Sequence, residues 1–461
     1  MSPVKWVIVA ALTAALSHTV TAQSAPHDLI GPNGSSLSVV SERPMAQSPQ
    51  AGEPEQVPQP LREPDGPVGM TLANLEAMAL QCNPTVAQAA RHIEAARGRW
   101  VQAGLYPNPV AGYVGAEIGN EGQSGQQGSF VGQEIITAGK LRLGKNVAEQ
   151  EIRQAEWAFQ TQRQRVLTDV RQGFYDVLIA QRTMELSEQL VRIGEEGVRS
   201  TESLMKAQEV ARADVLQARI EAESARVLLQ RARNRHAASW RNLAAVVGAA
   251  AMPPQRLIGE AWDGLHELTW EETYSRLLTQ SPQLAAAQTG IVRAQASLAR
   301  ERAQRVPNID LQASVQYDNA TKYTWGTIQA GVPMPIFNRN QGNIHRAEAE
   351  LLAAQNEVQR VQLELQQRLA TVFEQYETAR YQVEKYSRDI LPSAQASLDL
   401  ANKGYRQGEY NFLFLLTAQR TYFQTNLIYL DALRELRAAA AAIEGNLLSG
   451  SLQAGMAVAP D

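Results

Sequence analysis

The sequence predicts a mainly α-helical chain with a small β part, in which long coiled-coil helices alternate with pairs of short strands and the whole pattern is duplicated. Three observations lead to this fold class. The two halves of the chain match at an offset of 198 to 200 residues. A long segment of the second half spaces its apolar residues alternately three and four apart, and a shorter segment alternates apolar and polar residues strictly.

The duplication is visible in turn residues that recur at the same places in both halves. Asn83-Pro84 matches Ser281-Pro282, and Pro107-Asn108 matches Pro307-Asn308. A period of about 200 residues indicates two domain-sized copies and not a solenoid of short repeats. We expect each copy to have the order helix, strand, strand, very long helix, tight turn, helix. The two expected repeats span residues 70–268 and 269–448.

The N-terminal and C-terminal segments predict export and linker functions. A lysine, the apolar run Trp6–Leu16 and small residues up to Ala22 are typical of a secretory signal peptide over residues 1–22, and the run is too short to span a bilayer. An uncleaved anchor is the alternative. Residues 23–69 are rich in Pro, Ser, Gln and Gly and predict an extended linker. Residues 449–461 predict a flexible tail. No cysteine follows directly after the expected cut, so no lipid anchor is expected.

Composition excludes several classes of function. The chain has 43 Lys+Arg and 47 Asp+Glu residues and a formal net charge of −4, which excludes a generally basic nucleic-acid binder. Cys82 is the single cysteine, so an intrachain disulfide and a multi-cysteine metal site are excluded. The six histidines lack metal-ligand spacing, and no glycine-rich phosphate loop is found. We therefore expect a protein that is not an enzyme and that has no cofactor or bound metal.

The segment Pro307–Asp318 is the most informative of the predicted strands. Its polar residues alternate strictly with five apolar residues, which are Ile309, Leu311, Ala313, Val315 and Tyr317. This pattern over about ten residues is typical of a membrane β-strand with its apolar side toward lipid and its polar side toward a lumen. An ordinary half-buried strand also alternates. Further strands are expected at Val110–Ile118, Phe130–Ile136 and Tyr323–Val332.

Four strands are too few to form a barrel within one chain. About eight strands are the practical minimum for closure, and open sheet edges are not tolerated in lipid. If these strands lie in a membrane, several chains must therefore share one barrel. Three chains would supply twelve strands, although the strand count does not by itself choose three chains over two.

The long helix of the second repeat is predicted by an apolar stripe that runs from Ala347 to Ile390. Its alternating spacing of three and four residues, with one stutter, predicts coiled-coil packing. A helix from Gly342 to about Tyr405 would be roughly 95 Å long, and it is too polar for lipid, so we expect it to project into an aqueous space. Pro392 predicts a kink or a restart. A soluble coiled-coil rod would explain these helices and leave the alternating strand unexplained.

Together these residues resemble the TolC family of outer-membrane efflux channels over about Met70 to Leu448. Two segments are similar to those of the CzcC-type members that serve heavy-metal export, namely Gly139-Lys140-Leu141-Arg142 and Pro335–Ile344. The further segments that carry the resemblance are Asn83-Pro84, Pro107-Asn108, Ala207–Ala218, Pro307-Asn308, Ile390-Leu391-Pro392 and Gly404–Gln419.

The resemblance implies a homotrimer in the outer membrane, surrounded by its lipid. Twelve strands would form one barrel, and twelve helices would form a tunnel that extends into the periplasm. An inner-membrane efflux pump and a periplasmic adaptor protein would supply energy and substrate choice, so the chain would be a passive, gated conduit of a tripartite efflux system, with heavy metals as one candidate cargo. The alternative function is an exported coiled-coil structural protein without a pore.

The resemblance also implies that two helix–turn–helix tips meet the adaptor at the periplasmic end. The residues in this role would be Ala207, Gln208 and Glu209 in the first tip and Gly404, Gly408 and Glu409 in the second. The alternative is that the glycines only satisfy the geometry of the turn.

The aperture is where this chain departs from the family pattern. Members with a DVLDA-like segment after the second tip can present acidic rings inward, whereas Phe414 and Thr417 occupy the aligned positions here. Asp214 keeps an acid in the first repeat. We hypothesise that Phe412 or Phe414 narrows the closed tip as an apolar constriction, which gates by dewetting. Alternatively, both side chains only pack within the coiled coil.

Overall fold

A computed structural model describes residues 69–453 apart from 120, 121, 123 and 263. The predicted signal peptide over residues 1–22, the predicted linker up to residue 68 and the predicted tail beyond residue 453 lie outside the described residues. The mainly helical class with a small β part is confirmed.

The first half runs through two short helices, two strands and two long helices. Thr71 caps the first helix by accepting a hydrogen bond from the Asn74 N–H, and the longest helix has 67 residues, which corresponds to about 100 Å. The elements are α1 (Leu72–Cys82), α2 (Pro84–Ala103), β1 (Val110–Ala116), β2 (Gln126–Ile135), α3 (Lys140–Lys206) and α4 (Arg212–Val247).

The second half repeats this order, with one interruption in its long helix. Thr269 caps the first helix through the Glu272 N–H, as Thr71 does in the first half. The elements are α5 (Trp270–Gln280), α6 (Pro282–Ala303), β3 (Ile309–Asp318), β4 (Thr324–Gly331), α7 (Gln341–Lys385), a π-helical segment (Tyr386–Ile390), α8 (Leu391–Gln407) and α9 (Phe412–Glu444).

The four strands form one antiparallel sheet in the order β1-β2-β3-β4. Each half supplies one hairpin, and the two hairpins are joined where β2 pairs with β3, with Ile135 opposite Ile309 and Gln126 opposite Asp318. The repeats are therefore hydrogen-bonded to each other along the full length of the two central strands.

Two apolar clusters hold the helices together. The first joins α1, α3 and α4 around Phe174 and Trp240, and the second joins α5, α6 and α7 around Leu365. Helix α9 contributes Leu433 to the first cluster and Leu436 to the second. Because one helix packs in both clusters, the two halves share a continuous apolar core.

Pro392 changes the register of the long helix without ending it. A proline lacks an N–H, and its ring would strike the carbonyl four residues earlier in an α-helix. The preceding five residues, Tyr386–Ile390, adopt the wider π register, in which the Leu391 N–H donates to the Tyr386 carbonyl. The helix therefore continues from α7 into α8 past the proline.

Among the described residues, no helix has the length and apolar character needed to cross a bilayer.

The sequence predicts one helix before each strand pair, and the structure has two. The break falls at Asn83 and Ser281, because the residue before a proline is driven toward extended backbone. Asn83 is 1 % exposed. Its Oδ1 accepts hydrogen bonds from the Thr85 N–H at 2.9 Å and the Thr85 hydroxyl at 2.6 Å, and its Nδ2 donates to the Val246 carbonyl at 2.6 Å. Ser281 accepts one bond, from the Leu284 N–H at 3.5 Å.

We predict that Asn83→Ala destabilises the protein more than the matched variant Ser281→Ala. Loss of the Asn83 side chain removes a helix cap and leaves the partly buried Val246 carbonyl without its partner, which together cost about 2–3 kcal/mol, whereas loss of the Ser281 cap alone costs about 1 kcal/mol. Thermal unfolding of the purified variants, followed by circular dichroism, measures the difference. Equal shifts of the two midpoints would contradict this account of Asn83.

Candidate functional site

One face of the sheet is apolar and exposed. The five apolar residues of β3 point to the same side, and residues directly opposite one another in the antiparallel ladder share a face. Across the sheet at Ala313, the row on this side consists of Ala111, Val131, Ala313 and Ile328. Ile328 is 81 % exposed, and Val131 and Val315 are also exposed. The chain thus leaves a band of apolar side chains uncovered on this face.

The opposite face is mainly polar in its central strands. Glu134 of β2 lies opposite Asp310 of β3, and Gln312 lies opposite Gln329 of β4. Phe130 on this side covers Gly112 of β1, where an added Cβ would overlap the aromatic ring. The sheet therefore has two chemically different faces, as the alternation in β3 predicts.

The two outer strands each have one neighbour. Strand β1 pairs with β2 and β4 pairs with β3, so in the part of the chain that is described the outer edges of β1 and β4 present backbone N–H and C=O groups without a ladder partner. Such edges are templates for pairing with another strand.

A polar junction joins the sheet to the long helices. Asn308 donates from Nδ2 to Glu134 Oε1 at 2.7 Å and accepts at Oδ1 from Lys140 Nζ at 2.5 Å. In the second half, Asn340 Nδ2 donates to the backbone carbonyl of Glu301 at 2.8 Å. Both long helices start from a left-handed residue, Gly139 before α3 and Asn340 before α7. The two segments that resemble CzcC-type members therefore build the junctions from which the long helices begin.

The first tip joins α3 to α4 through a Schellman-type turn. The Gln208 N–H donates to the Met205 carbonyl at 3.0 Å, and the Glu209 N–H donates to the Leu204 carbonyl at 3.0 Å. Gln208 takes the left-handed backbone conformation with φ of 61°. Ala207, Gln208 and Glu209 are exposed at the end of the hairpin.

The second tip joins α8 to α9 through the same turn. Gly408 has φ of 75°, and the Glu409 N–H donates to the Gly404 carbonyl at 2.8 Å. Gly408 and Glu409 are exposed. Gly404 is buried beneath the Tyr410 ring, which an added Cβ would overlap. The structure therefore places Gly404 inside the turn, where it could not touch an adaptor directly.

The four aperture candidates have different surroundings. Phe412 is 9 % exposed and packs against Tyr405 with ring centroids 5.9 Å apart, whereas Phe414 is 48 % exposed and packs at a tilt of 39° against Tyr410, with ring centroids 4.6 Å apart. Thr417 is exposed, and its hydroxyl donates to the Leu413 carbonyl at 2.8 Å. The burial of Phe412 favours the packing alternative for that residue, so an apolar gate at this tip would depend on Phe414.

Asp214 of the first tip lies near Tyr405 of the second. The Asp214 carboxylate accepts a hydrogen bond from the Ala211 N–H at 3.1 Å in the first turn of α4. Burial raises the pKa of the Tyr405 phenol, and the Asp214 carboxylate raises it further. Tyr405 therefore remains a neutral phenol close to an acidic side chain of the other repeat. No local sequence pattern indicates a role for Tyr405, because residues from separate hairpins meet only in the folded chain.

The two hairpins are braced differently. Three Arg–Glu pairs cross between α4 and α3 at intervals of seven residues, namely Arg219–Glu202 at 2.6 Å, Arg226–Glu195 at 2.8 Å and Arg233–Glu188 at 3.4 Å. Each exposed pair adds little stability, but together they select one register of the antiparallel helices. No ion pair crosses between α8 and α9 among the residues described, and the π-helical segment lies at the start of that hairpin.

Comparison with known proteins shows the same two-part organisation. The family described as "Outer membrane efflux protein" matches residues 75–249 and 273–447. Each matched segment contains one pair of strands and one helix–turn–helix tip.

Two curated relatives are similar to this chain in sequence. The chain is 26 % identical to the cobalt-zinc-cadmium resistance protein CzcC of Cupriavidus metallidurans over 383 residues, which cover 83 % of this chain and 90 % of that protein. It is 28 % identical to the cation efflux system protein CusC of Escherichia coli K12 over 168 residues, or 34 % of this chain and 36 % of that protein.

The fold is similar to that of a membrane protein from Pseudomonas aeruginosa, with a TM-score of 0.69, 22 % identity and coverage of 82 % of this chain and 92 % of that one. The family match confirms the resemblance that the sequence motifs indicate, and the family's description agrees with an outer-membrane location and with a protein that is not an enzyme. Since the family match covers both repeats, the chain belongs to the outer membrane efflux protein family.

Proposed function

We propose that this chain is the outer-membrane channel of a tripartite efflux system and works as a homotrimer. Its sheet lies in the outer membrane, and its long helices extend into the periplasm. The chain is a passive, gated conduit, while an inner-membrane pump and a periplasmic adaptor supply the energy and select the substrate. Residues 70–268 and 269–448 are the two repeats of this channel.

The observation that carries the proposal is the sheet with two different faces and two open edges. The polar side of the sheet faces a lumen, and the apolar side faces lipid. The lipid-facing residues of β3 are Ile309, Leu311, Ala313, Val315 and Tyr317. Each backbone N–H or C=O group left unpaired at a strand edge costs several kcal/mol in lipid. Pairing β4 of one copy with β1 of the next leaves no such edge. Four strands from each of three copies give twelve, above the practical minimum of about eight for closure.

Five exposed tip residues form the proposed contact with the adaptor. Ala207, Gln208 and Glu209 end the first hairpin, and Gly408 and Glu409 end the second. Their exposure and matching turns favour an end-to-end contact, and the two glutamates favour a partner with basic groups at this end. Gly404 supports the contact indirectly, because it lets the Tyr410 ring close over the turn.

The gate is proposed to lie in the second hairpin. Phe414 is the exposed apolar side chain that narrows the tip, and Thr417 and Asp214 are the other proposed residues of the aperture. The π-helical segment provides the place where α8 bends, since sharp kinks in helices commonly fall at π-bulges.

Heavy-metal cations are the proposed cargo. The similarity to proteins named for cobalt-zinc-cadmium resistance and for cation efflux supports this choice, as do the segments Gly139-Lys140-Leu141-Arg142 and Pro335–Ile344. The remaining alternative, an exported coiled-coil structural protein without a pore, would not require an exposed apolar sheet face.

We predict that Phe414→Ala raises the closed-state conductance of the channel in planar bilayers, because the apolar constriction is lost. Its stability should change by about 1 kcal/mol or less, since the side chain is half exposed. The matched variant Phe412→Ala should instead lower stability by about 3 kcal/mol, because it empties a buried site. Unchanged closed-state current in Phe414→Ala, measured beside wild type, would refute the gate.

Deletion of the gene for this chain in its native bacterium tests which substrate the channel exports. We expect tolerance of cobalt, zinc and cadmium salts to fall several-fold and to return with a plasmid copy, while tolerance of a cationic dye stays unchanged. Lower dye tolerance with unchanged metal tolerance would reassign the cargo to organic compounds. Unchanged tolerance of both would favour the structural alternative.

A further inference from the structure

An open cleft of about 330 Å³ lies where the sheet meets the helices. It is lined by residues of α2, α3 and α6 and by Ile136 and Asn308 at the ends of the two central strands. Asn308 is bonded to Glu134, which belongs to the polar face of the sheet. The cleft lies within a single chain and at the level where the strands begin, far from both tips.

Three cations and one carboxylate line this cleft: Arg99, Lys140, Arg300 and Glu151. Arg99 Nε lies 3.2 Å from Glu151 Oε2, and Arg293 Nε, outside the lining, lies 3.9 Å from Glu151 Oε1. The single carboxylate is therefore already neutralised by arginines. The Arg300 side chain has no ion pair or hydrogen bond with any residue that the structure describes, so the charge of the cleft remains positive.

Lys140 brings a charge to the cleft that the protein itself does not neutralise. Lys140 is 8 % exposed, and its ammonium donates a hydrogen bond of 2.5 Å to the neutral Oδ1 of Asn308. The nearest carboxylate, Glu134, is bonded to the Asn308 amide and not to the ammonium. Burial lowers the pKa of Lys140, and Glu134 opposes this change. A buried cation without a paired anion is unfavourable, and a bound anion would remove that cost.

We propose that this cleft binds a phosphate-type oxyanion between Lys140 and Arg300. An ammonium and a guanidinium are the two side-chain groups that most often hold phosphate oxygens. The volume accommodates such an anion together with several waters at about 30 Å³ each. The source is either free inorganic phosphate in the aqueous space or the phosphate of a lipid headgroup, and both present the same oxygens.

Thermal unfolding of the purified full chain in detergent tests the site. Phosphate replaces chloride at constant ionic strength, and the unfolding midpoint of wild type should rise with phosphate concentration because the ligand binds the folded state. Arg300→Gln, an exposed position that tolerates change, should need about tenfold more phosphate for the same shift. Arg302→Gln is the matched control, since Arg302 of the same helix pairs with Glu348 at 2.9 Å. It should respond as wild type.

Native mass spectrometry of the same proteins with phosphatidylglycerol distinguishes the two sources. Lipid retained by wild type, lost in Arg300→Gln and displaced by phosphate would support a headgroup ligand. A phosphate-dependent midpoint without lipid retention would support the free anion. Absence of both effects in wild type, or equal effects in wild type and Arg300→Gln, would overturn the proposal. Neither measurement uses a pump, an adaptor or conductance, so its failure would leave the channel proposal unaffected.

Discussion

The backbone hydrogen bonds at the edges of the sheet are the constraint on which the rest of the account depends. Strands β2 and β3 satisfy each other, whereas β1 and β4 have one neighbour each. Such edges are incompatible with lipid unless further strands pair with them, and the exposed apolar face is unfavourable anywhere except in lipid or against another apolar surface. Neighbouring copies that pair edge to edge satisfy both requirements. The polar average of the chain fits this arrangement, because only every second residue of four short strands needs to be apolar.

Duplication couples the two halves at three levels with different strength. The hairpins are hydrogen-bonded through β2 and β3, and the middle of the chain is joined by α9, which packs in both apolar clusters. At the tips, the Asp214 carboxylate of the first hairpin lies close enough to Tyr405 of the second to raise the pKa of its phenol. The first hairpin has a ladder of ion pairs, and the second begins at a π-helical segment. Motion at the tips is therefore expected to belong to the second hairpin.

Much of this fold could be predicted from periodicity alone. The alternation in Pro307–Asp318 predicted β3 to within two residues, because a strand with two different faces leaves a period of two in the sequence. The apolar stripe likewise predicted the long helix, since Val361, Leu365 and Leu369 are buried in the structure. The break at Asn83 was missed, although a proline follows it. The small residues on the two sides of Asn83 would also fit one continuous helix.

The details of the candidate site were less predictable, for a physical reason. Whether Phe412 or Phe414 is exposed depends on which helix packs against α9, and the burial of Gly404 depends on the rotamer of Tyr410. The approach of Tyr405 to Asp214 and the cleft around Lys140 bring together residues from both repeats, separated by more than 150 positions. Tertiary contacts of this kind leave no periodic signal in one sequence.

Hydrogen–deuterium exchange of the full chain in lipid nanodiscs shows whether the outer edges of β1 and β4 are paired. If neighbouring copies complete the sheet, the amides on the outer edges of β1 and β4 should exchange as slowly as those of β2 and β3, because each is bonded to a strand of the next copy. Exchange of these edge amides as fast as that of the Gly119 amide, which lies in the loop between β1 and β2, would show that the edges remain open, and it would contradict the shared barrel.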